Sequence, residues 1–167
     1  MKNFKVLLVD DEQEFIETLS ERLKMRDLDT KLALDGEQAL EAVRDDEPDV
    51  MLLDLKMPGM DGMEVLRKVK KAFPGVQVVM LTGHGTDKDE EQARRLGAYA
   101  YLQKPVDLEH LVVTLRDAFK NKIARKFESG MMAATFAEAG DVKTAREIMD
   151  KEDDPLGQKK GKKGRKK

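Results

Sequence analysis

Five short apolar runs recur along the chain: Lys5 to Val9, Thr30 to Leu34, Val50 to Leu53, Val76 to Leu81 and Ala98 to Leu102. Each is rich in Val or Leu and nearly continuous in apolar residues, the pattern of strands covered on both faces. Between the runs lie segments with helical spacing, Phe15, Ile16, Leu19 and Leu23 in the first and Val65, Leu66 and Val69 in the third. Five βα units in succession predict a doubly wound α/β domain over residues 1–122, with a five-stranded parallel sheet between two layers of helices.

After Lys122 the pattern changes. Arg125 to Ala139 reads as a helix with Phe127, Met131, Ala134 and Phe136 on its apolar positions, stopped by Gly140. Asp141 then suits the N-cap of a second helix, Val142 to Lys151, which carries Ala145, Ile148 and Met149. The expectation is a C-terminal helical hairpin over 123–152, too small to fold alone, with its methionines filling its own core. From Asp153 the sequence DDPLGQKKGKKGRKK combines Pro, Gly and like charge with little to bury, which predicts a disordered basic tail over 153–167.

Composition narrows the chemistry. The 167 residues include no Cys and no Trp, so a disulfide framework, a Cys-based zinc site and a thiol nucleophile are all excluded. A reducing cytoplasm fits. The opening MKNFKVLLVDD is far too short in apolar residues for a signal-peptide core or a membrane span, and a soluble cytoplasmic protein is expected. Net charge is only −2, yet residues 1–122 hold 19 Lys+Arg against 25 Asp+Glu while the remainder holds 12 against 8. An acidic body therefore carries a basic end, and seven of the last ten residues are Lys or Arg. Without interleaved aromatics that end suits an unspecific polyanion contact, to nucleic acid, an anionic membrane surface or an acidic protein.

In open α/β sheets ligands bind beyond the carboxyl ends of the strands. There the sequence places Asp10 and Asp11, then Asp54, then Thr82 with Gly83, then Lys104 with Pro105. Each acid taken singly has an ordinary structural explanation, as a helix cap or a strand end. Taken together, three carboxylates in one pocket repel, and a divalent cation relieves them. An all-oxygen site of that kind suits Mg²⁺, which keeps several waters and takes one or two carboxylates plus phosphate oxygens. Lys104 and Thr82 add a positive charge and a hydroxyl suited to the equatorial oxygens of a phosphoryl group, and Asp54 would be the nucleophile.

The runs VLLVDDE, MLLDLKMPGMDGMEVL, VVMLTGHG and GAYAYLQKP, in that order, resemble the receiver domain of response regulators in two-component signalling. The resemblance covers about the first 120 residues. It implies a flavodoxin-like (βα)5 fold and a phosphoacceptor at Asp54. It further implies that Mg²⁺ is held by Asp11, Asp54 and the Lys56 carbonyl, with Asp10 acting through water. Thr82 and Lys104 would contact the phosphoryl group, Thr82 and Tyr101 would form the switch, and Lys104–Pro105 would be a cis peptide. The implied donor is a sensor histidine kinase or phosphotransfer protein, and the implied output is a protein partner rather than enzymatic turnover. His84 and Lys56 flank the expected phosphate as variable pocket positions.

Two other readings compete. A phosphatase of the haloacid dehalogenase type also uses an aspartyl nucleophile and Mg²⁺, but it needs an acid two residues after the nucleophile, where this chain has Lys56. The stretch AEAGDVKTAREIM resembles the start of a helix-turn-helix or a single repeat hairpin, yet no recognition helix follows it. Neither G-x-x-x-x-G-K-[ST] nor G-x-G-x-x-G occurs, which argues against a nucleotide site.

Overall fold

Successive side chains of a strand point to opposite faces of its sheet, so a run that is apolar throughout needs cover on both sides. A computed structural model of the chain, describing residues 3–128, shows how that cover is arranged. The elements alternate as β1 (Lys5–Val9), α1 (Gln13–Lys24), β2 (Asp29–Ala33), α2 (Gly36–Asp45), β3 (Val50–Leu53), α3 (Gly62–Ala72), β4 (Gln77–Thr82), α4 (Asp87–Arg95), β5 (Ala100–Gln103) and α5 (Leu108–Lys126). All strand pairs are parallel, in the order β2-β1-β3-β4-β5.

The alternation divides the core in two. Leu7 and Val9 of β1 join Met51, Leu53, Val78 and Met80, and are covered by Val43 of α2 and Val65, Leu66 and Val69 of α3. Val6 and Leu8 point the other way, with Val50, Leu52, Val79 and Leu81, and are covered by Ile16, Leu19 and Leu23 of α1 and Leu111 and Leu115 of α5. At the amino end of the sheet Phe4 stacks on Phe119 of α5, ring centroids 4.4 Å apart.

The five-stranded (βα)5 core is the predicted one, with shifts at some strand ends. Val76 donates its N–H to Phe73 O in a turn, so β4 begins one residue later than the apolar run suggests. Ala98 is likewise held by Ala93 O in the turn after α4, which delays β5 to Ala100. The compact unit that holds the sheet closes at Lys122, and α5 itself runs on to Lys126. The expected hairpin beyond residue 128 and the expected basic tail lie outside the described residues. Among those described, no helix is long and apolar enough to cross a membrane.

Helix starts fix the loops around the sheet's carboxyl edge. Asp35 and Asp61 cap α2 and α3 by accepting from Gln38 N at 2.8 Å and Glu64 N at 3.0 Å. Thr86 and Asp89 form a reciprocal capping box at the start of α4. Gly62, the first residue of α3, sits so close to β3 that a Cβ there would lie 2.2 Å from Asp54 O and 2.8 Å from Leu55 Cα. Only glycine lets α3 start against the backbone that carries Asp54.

At the opposite edge Asp46, the residue after α2, accepts from Lys5 Nζ at 2.6 Å and Lys31 Nζ at 2.9 Å. These hydrogen bonds, that to Lys5 first, hold its carboxyl down to about 2. A carboxyl depressed in the folded state contributes stability above the ordinary aspartate range, and that contribution is lost as pH falls through the folded value. The pair is solvated, so the effect is small and sensitive to salt. Asp46→Asn is therefore expected to melt slightly below the wild type at neutral pH, with the gap narrowing as pH drops towards 2. Thermal melts across that range check it, and a gap that persists at the acid end would contradict the ion-pair account.

Candidate functional site

The strand order reverses between β1 and β3, since the chain passes from β1 outwards to β2 and then back across to β3. That reversal opens a crevice at the carboxyl ends of the two central strands. Register sets what lies there: Val9 pairs with Leu53, so Asp10 and Asp54 emerge from adjacent strands at the same level. Asp54 N donates to Val9 O at 2.9 Å and Asp10 N to Ala33 O at 3.2 Å, extending the ladder to both acids.

Asp10, Asp11 and Asp54 each offer a carboxylate oxygen, and the three oxygens lie within 4.8 Å of one another. Asp10 and Asp54 are buried and Asp11 is exposed at the mouth. Both oxygens of Asp10 are engaged, Oδ1 by Glu12 N at 2.9 Å and Oδ2 by Lys104 Nζ at 2.6 Å. Oδ1 of Asp54 is buried with no hydrogen-bond partner. A buried carboxylate oxygen normally has one. Burial pushes the Asp54 carboxyl above its ordinary value, and the Asp10 charge adds to that. The Lys104 charge, the Thr82 hydroxyl and the Leu55 N–H act in the opposite direction. An orphaned buried oxygen beside two further carboxylates fits a hard divalent cation, with Asp11 and Asp54 the less engaged donors and Asp10 already committed.

The other expected residues converge on the same edge. Thr82 ends β4 fully buried, and its Oγ1 accepts from His84 N at 3.2 Å. Lys104 N donates to Thr82 O at 3.0 Å, which sets the start of the β5–α5 loop beside β4. The Lys104–Pro105 peptide is cis. Lys56 is exposed in the loop between β3 and α3, where its charge acts on Asp89.

Two side chains take positions that the sequence pattern does not disclose. Lys104 is drawn towards β1: besides Asp10 it donates to Glu12 Oε1 at 2.9 Å, and its ammonium stands 4.3 Å from the centre of the Phe15 ring. Burial works against its charge, but the bonds to Asp10 and Glu12 outweigh this and its pKa lies above the ordinary lysine value. Glu12 was visible as the third acid of VDDE, yet its partner is 92 residues away, and no local signal joins the two. Tyr101, on β5, is turned inwards and only 7% exposed, with its hydroxyl buried and unpartnered. Gly85 makes the space: a Cβ there would lie 1.6 Å from the Tyr101 hydroxyl oxygen and 3.1 Å from Thr82 Cγ2.

Comparison with known proteins agrees with this arrangement. Residues 6–116 match the response regulator receiver domain family. Over 126 residues the chain is 35% identical to sporulation initiation phosphotransferase F of Bacillus subtilis (strain 168), covering 75% of this chain and 98% of that protein. Among solved structures, a response regulator receiver domain protein from Clostridium thermocellum superposes with a TM-score of 0.69 at 31% identity, covering 72% of this chain and 98% of that one. The receiver domain of NtrX from Brucella abortus gives 0.65 at 32% identity, covering 69% and 98%. Strand order, the acid crevice and these matches agree, and the chain belongs to the response regulator receiver domain family.

Proposed function

We propose that Asp54 is the phosphoacceptor through which this receiver takes part in two-component or phosphorelay signalling. The observation that carries the assignment is the buried, partnerless Oδ1 of Asp54 at the topological switch point, beside Asp10 and Asp11. A carboxylate oxygen of Asp54 attacks phosphorus. The O–P bond forms as the N–P bond of a phosphohistidine on the donor breaks, and the imidazole nitrogen keeps the electron pair. Asp11, Asp54 and the Lys56 carbonyl would hold Mg²⁺, with Asp10 assisting, and the ion would supply charge neutralisation at the transferring group. Lys104 and Thr82 provide the ammonium and hydroxyl that meet the phosphoryl oxygens.

The donor is a sensor histidine kinase or a phosphotransfer protein in the cytoplasm. Output passes to a protein partner, and the basic end of the chain serves as an unspecific polyanion contact. As in the family, the chain's own chemistry is limited to gaining and losing its phosphoryl group. The phosphatase reading loses its support, since the family match goes with receivers and position 56 is Lys.

With Mg²⁺ and a small phosphodonor the wild type is expected to gain an acid-stable, base-labile phosphate, and Asp54→Asn to gain none. EDTA should silence the wild type. Intact-mass spectrometry reads all three, and undiminished labelling of the Asn variant would refute the acceptor assignment.

Thr82 and Tyr101 form the switch in this reading, and Gly85 sets its resting position. Tyr101 already occupies the inward site, at the cost of a buried hydroxyl without a partner, about 1–3 kcal/mol for such a group. Turning outwards wets that hydroxyl but uncovers the ring, so the two positions differ by little, as a switch requires. Gly85→Ala is expected to drive Tyr101 outwards with or without phosphate. Contacts between the Tyr101 ring and the Thr82 methyl, followed by NMR, should then disappear, with amide shifts along β5 and α4. Persistence of those contacts in the Ala variant would show that Gly85 does not govern the position.

A further inference from the structure

We propose that Glu12 is a positioning residue that acts through Lys104, holding the ammonium towards β1 and so slowing transfer of a phosphoryl group to Asp54. The inference rests on the Asp54 reading above and adds a residue to it.

The geometry is that of a competition for one cation. Lys104 Nζ donates to Asp10 Oδ2 at 2.6 Å and to Glu12 Oε1 at 2.9 Å, with the Phe15 ring 4.3 Å away. Two of its three N–H groups are thereby directed at residues of the β1–α1 turn. Asp54 Oδ1, beside which the transferred group must sit, has no hydrogen bond from it. A lysine meets a phosphoryl group as a point charge, so its position sets what it contributes to the transition state.

Glu12 differs from Asp10 in a way that matters. Asp10 is buried and its Oδ1 is tied to the Glu12 N–H, so it belongs to the framework of the turn. The Glu12 side chain is 64% exposed, against 17% for Lys104, and its carboxylate is bonded to the Lys104 ammonium. That hydrogen bond to Asp10 fixes the Glu12 backbone at the entrance to α1, within reach of Lys104. As the phosphoryl group arrives, Lys104 exchanges Glu12 for phosphoryl oxygens, and an exposed carboxylate is released to water. Glu12 therefore stabilises the state before transfer more than the transition state, which raises the barrier. An exposed ion pair of this kind is worth enough to alter a rate by roughly two- to fivefold.

The test uses the full chain with Mg²⁺. The rate of Asp54 labelling by a small phosphodonor is measured for the wild type, Glu12→Gln, Lys104→Met and the double variant, each at low and high salt. Affinity for trifluoroberyllate, a phosphoryl mimic, is measured on the same proteins by amide chemical shifts, which does not depend on turnover. Glu12→Gln is expected to label about two- to fivefold faster and to bind the mimic tighter by a similar factor, less so at high salt. In the Lys104→Met background the same change should have no effect. An unchanged or slower Gln variant overturns the proposal, and so does an equal gain in the Lys104→Met background, which would mean that Glu12 acts by direct repulsion. Failure of the wild type to gain phosphate on Asp54 would instead remove the underlying acceptor assignment.

Discussion

Three carboxylates within 4.8 Å at the ends of two neighbouring strands repel one another, and the rest of the site is an answer to that repulsion. The parallel register forces Asp10 and Asp54 to the same level, because Val9 and Leu53 are partners in the ladder. Burial then makes the crowding worse, as the upward displacement of the Asp54 carboxyl records. Lys104 relieves Asp10 but leaves Asp54 Oδ1 without a partner. The pocket is thus electrostatically incomplete at Asp54. A site built this way favours a divalent cation, and the proposed transfer of an anionic phosphoryl group to Asp54 would depend on that cation and on Lys104 for charge compensation.

The incompleteness is tolerable because the surrounding frame is rigid. Leu53 and Leu55 flank Asp54 and are buried, and Gly62 lets α3 start in direct contact with its backbone. The two apolar layers grip β3 from both faces through Met51 and Leu53 on one side and Val50 and Leu52 on the other. Dense packing prevents the carboxylate from relaxing towards water, so repulsion is held in place rather than dissipated. The geometry of the acid cluster is a property of the central strands, and the helices cover those strands on both faces.

Much of this was legible in the sequence because its causes are periodic or local. The strands announced themselves as runs of Val and Leu, and the residues after each run are the ones the sheet brings together at its carboxyl edge: Asp10, Asp54, Thr82 and Lys104. At Val76 and Ala98, where two strand starts moved, a turn hydrogen bond had claimed the backbone N–H, and at Leu34, where β2 ends one residue early, the Gln38 side chain had claimed it. What stayed hidden were side-chain choices among partners of similar attraction. Lys104 has carboxylates on several sides, and which of them it meets depends on the backbone of the β1–α1 turn, fixed by Glu12 N to Asp10. The inward Tyr101 is equally invisible from its own position, since the deciding feature is an absent Cβ at Gly85 in another loop.

The same contrast bears on how a charge placed at Asp54 would be felt at a distance in the proposed switch. The central strands have no freedom to respond, whereas α4 buries only Ala93 and is otherwise a run of charged and polar residues. Few buried contacts mean that small displacements of α4 cost little. Thr82 stands between the two regimes: it is fully buried at the end of a rigid strand, yet its hydroxyl is bonded to the N–H of His84 in the loop that leads to α4. In the proposed switch, drawing that hydroxyl towards a phosphoryl oxygen would take the acceptor from His84 and disturb the loop on which Gly85 and the Tyr101 hydroxyl meet. One exchanged hydrogen bond, worth about 0.5–1.5 kcal/mol, matches the small difference between two positions of a ring whose buried hydroxyl is already unsatisfied. A switch of this kind needs no long chain of displacements. It needs a rigid source of charge, a weakly held helix, and a single buried side chain shared between them.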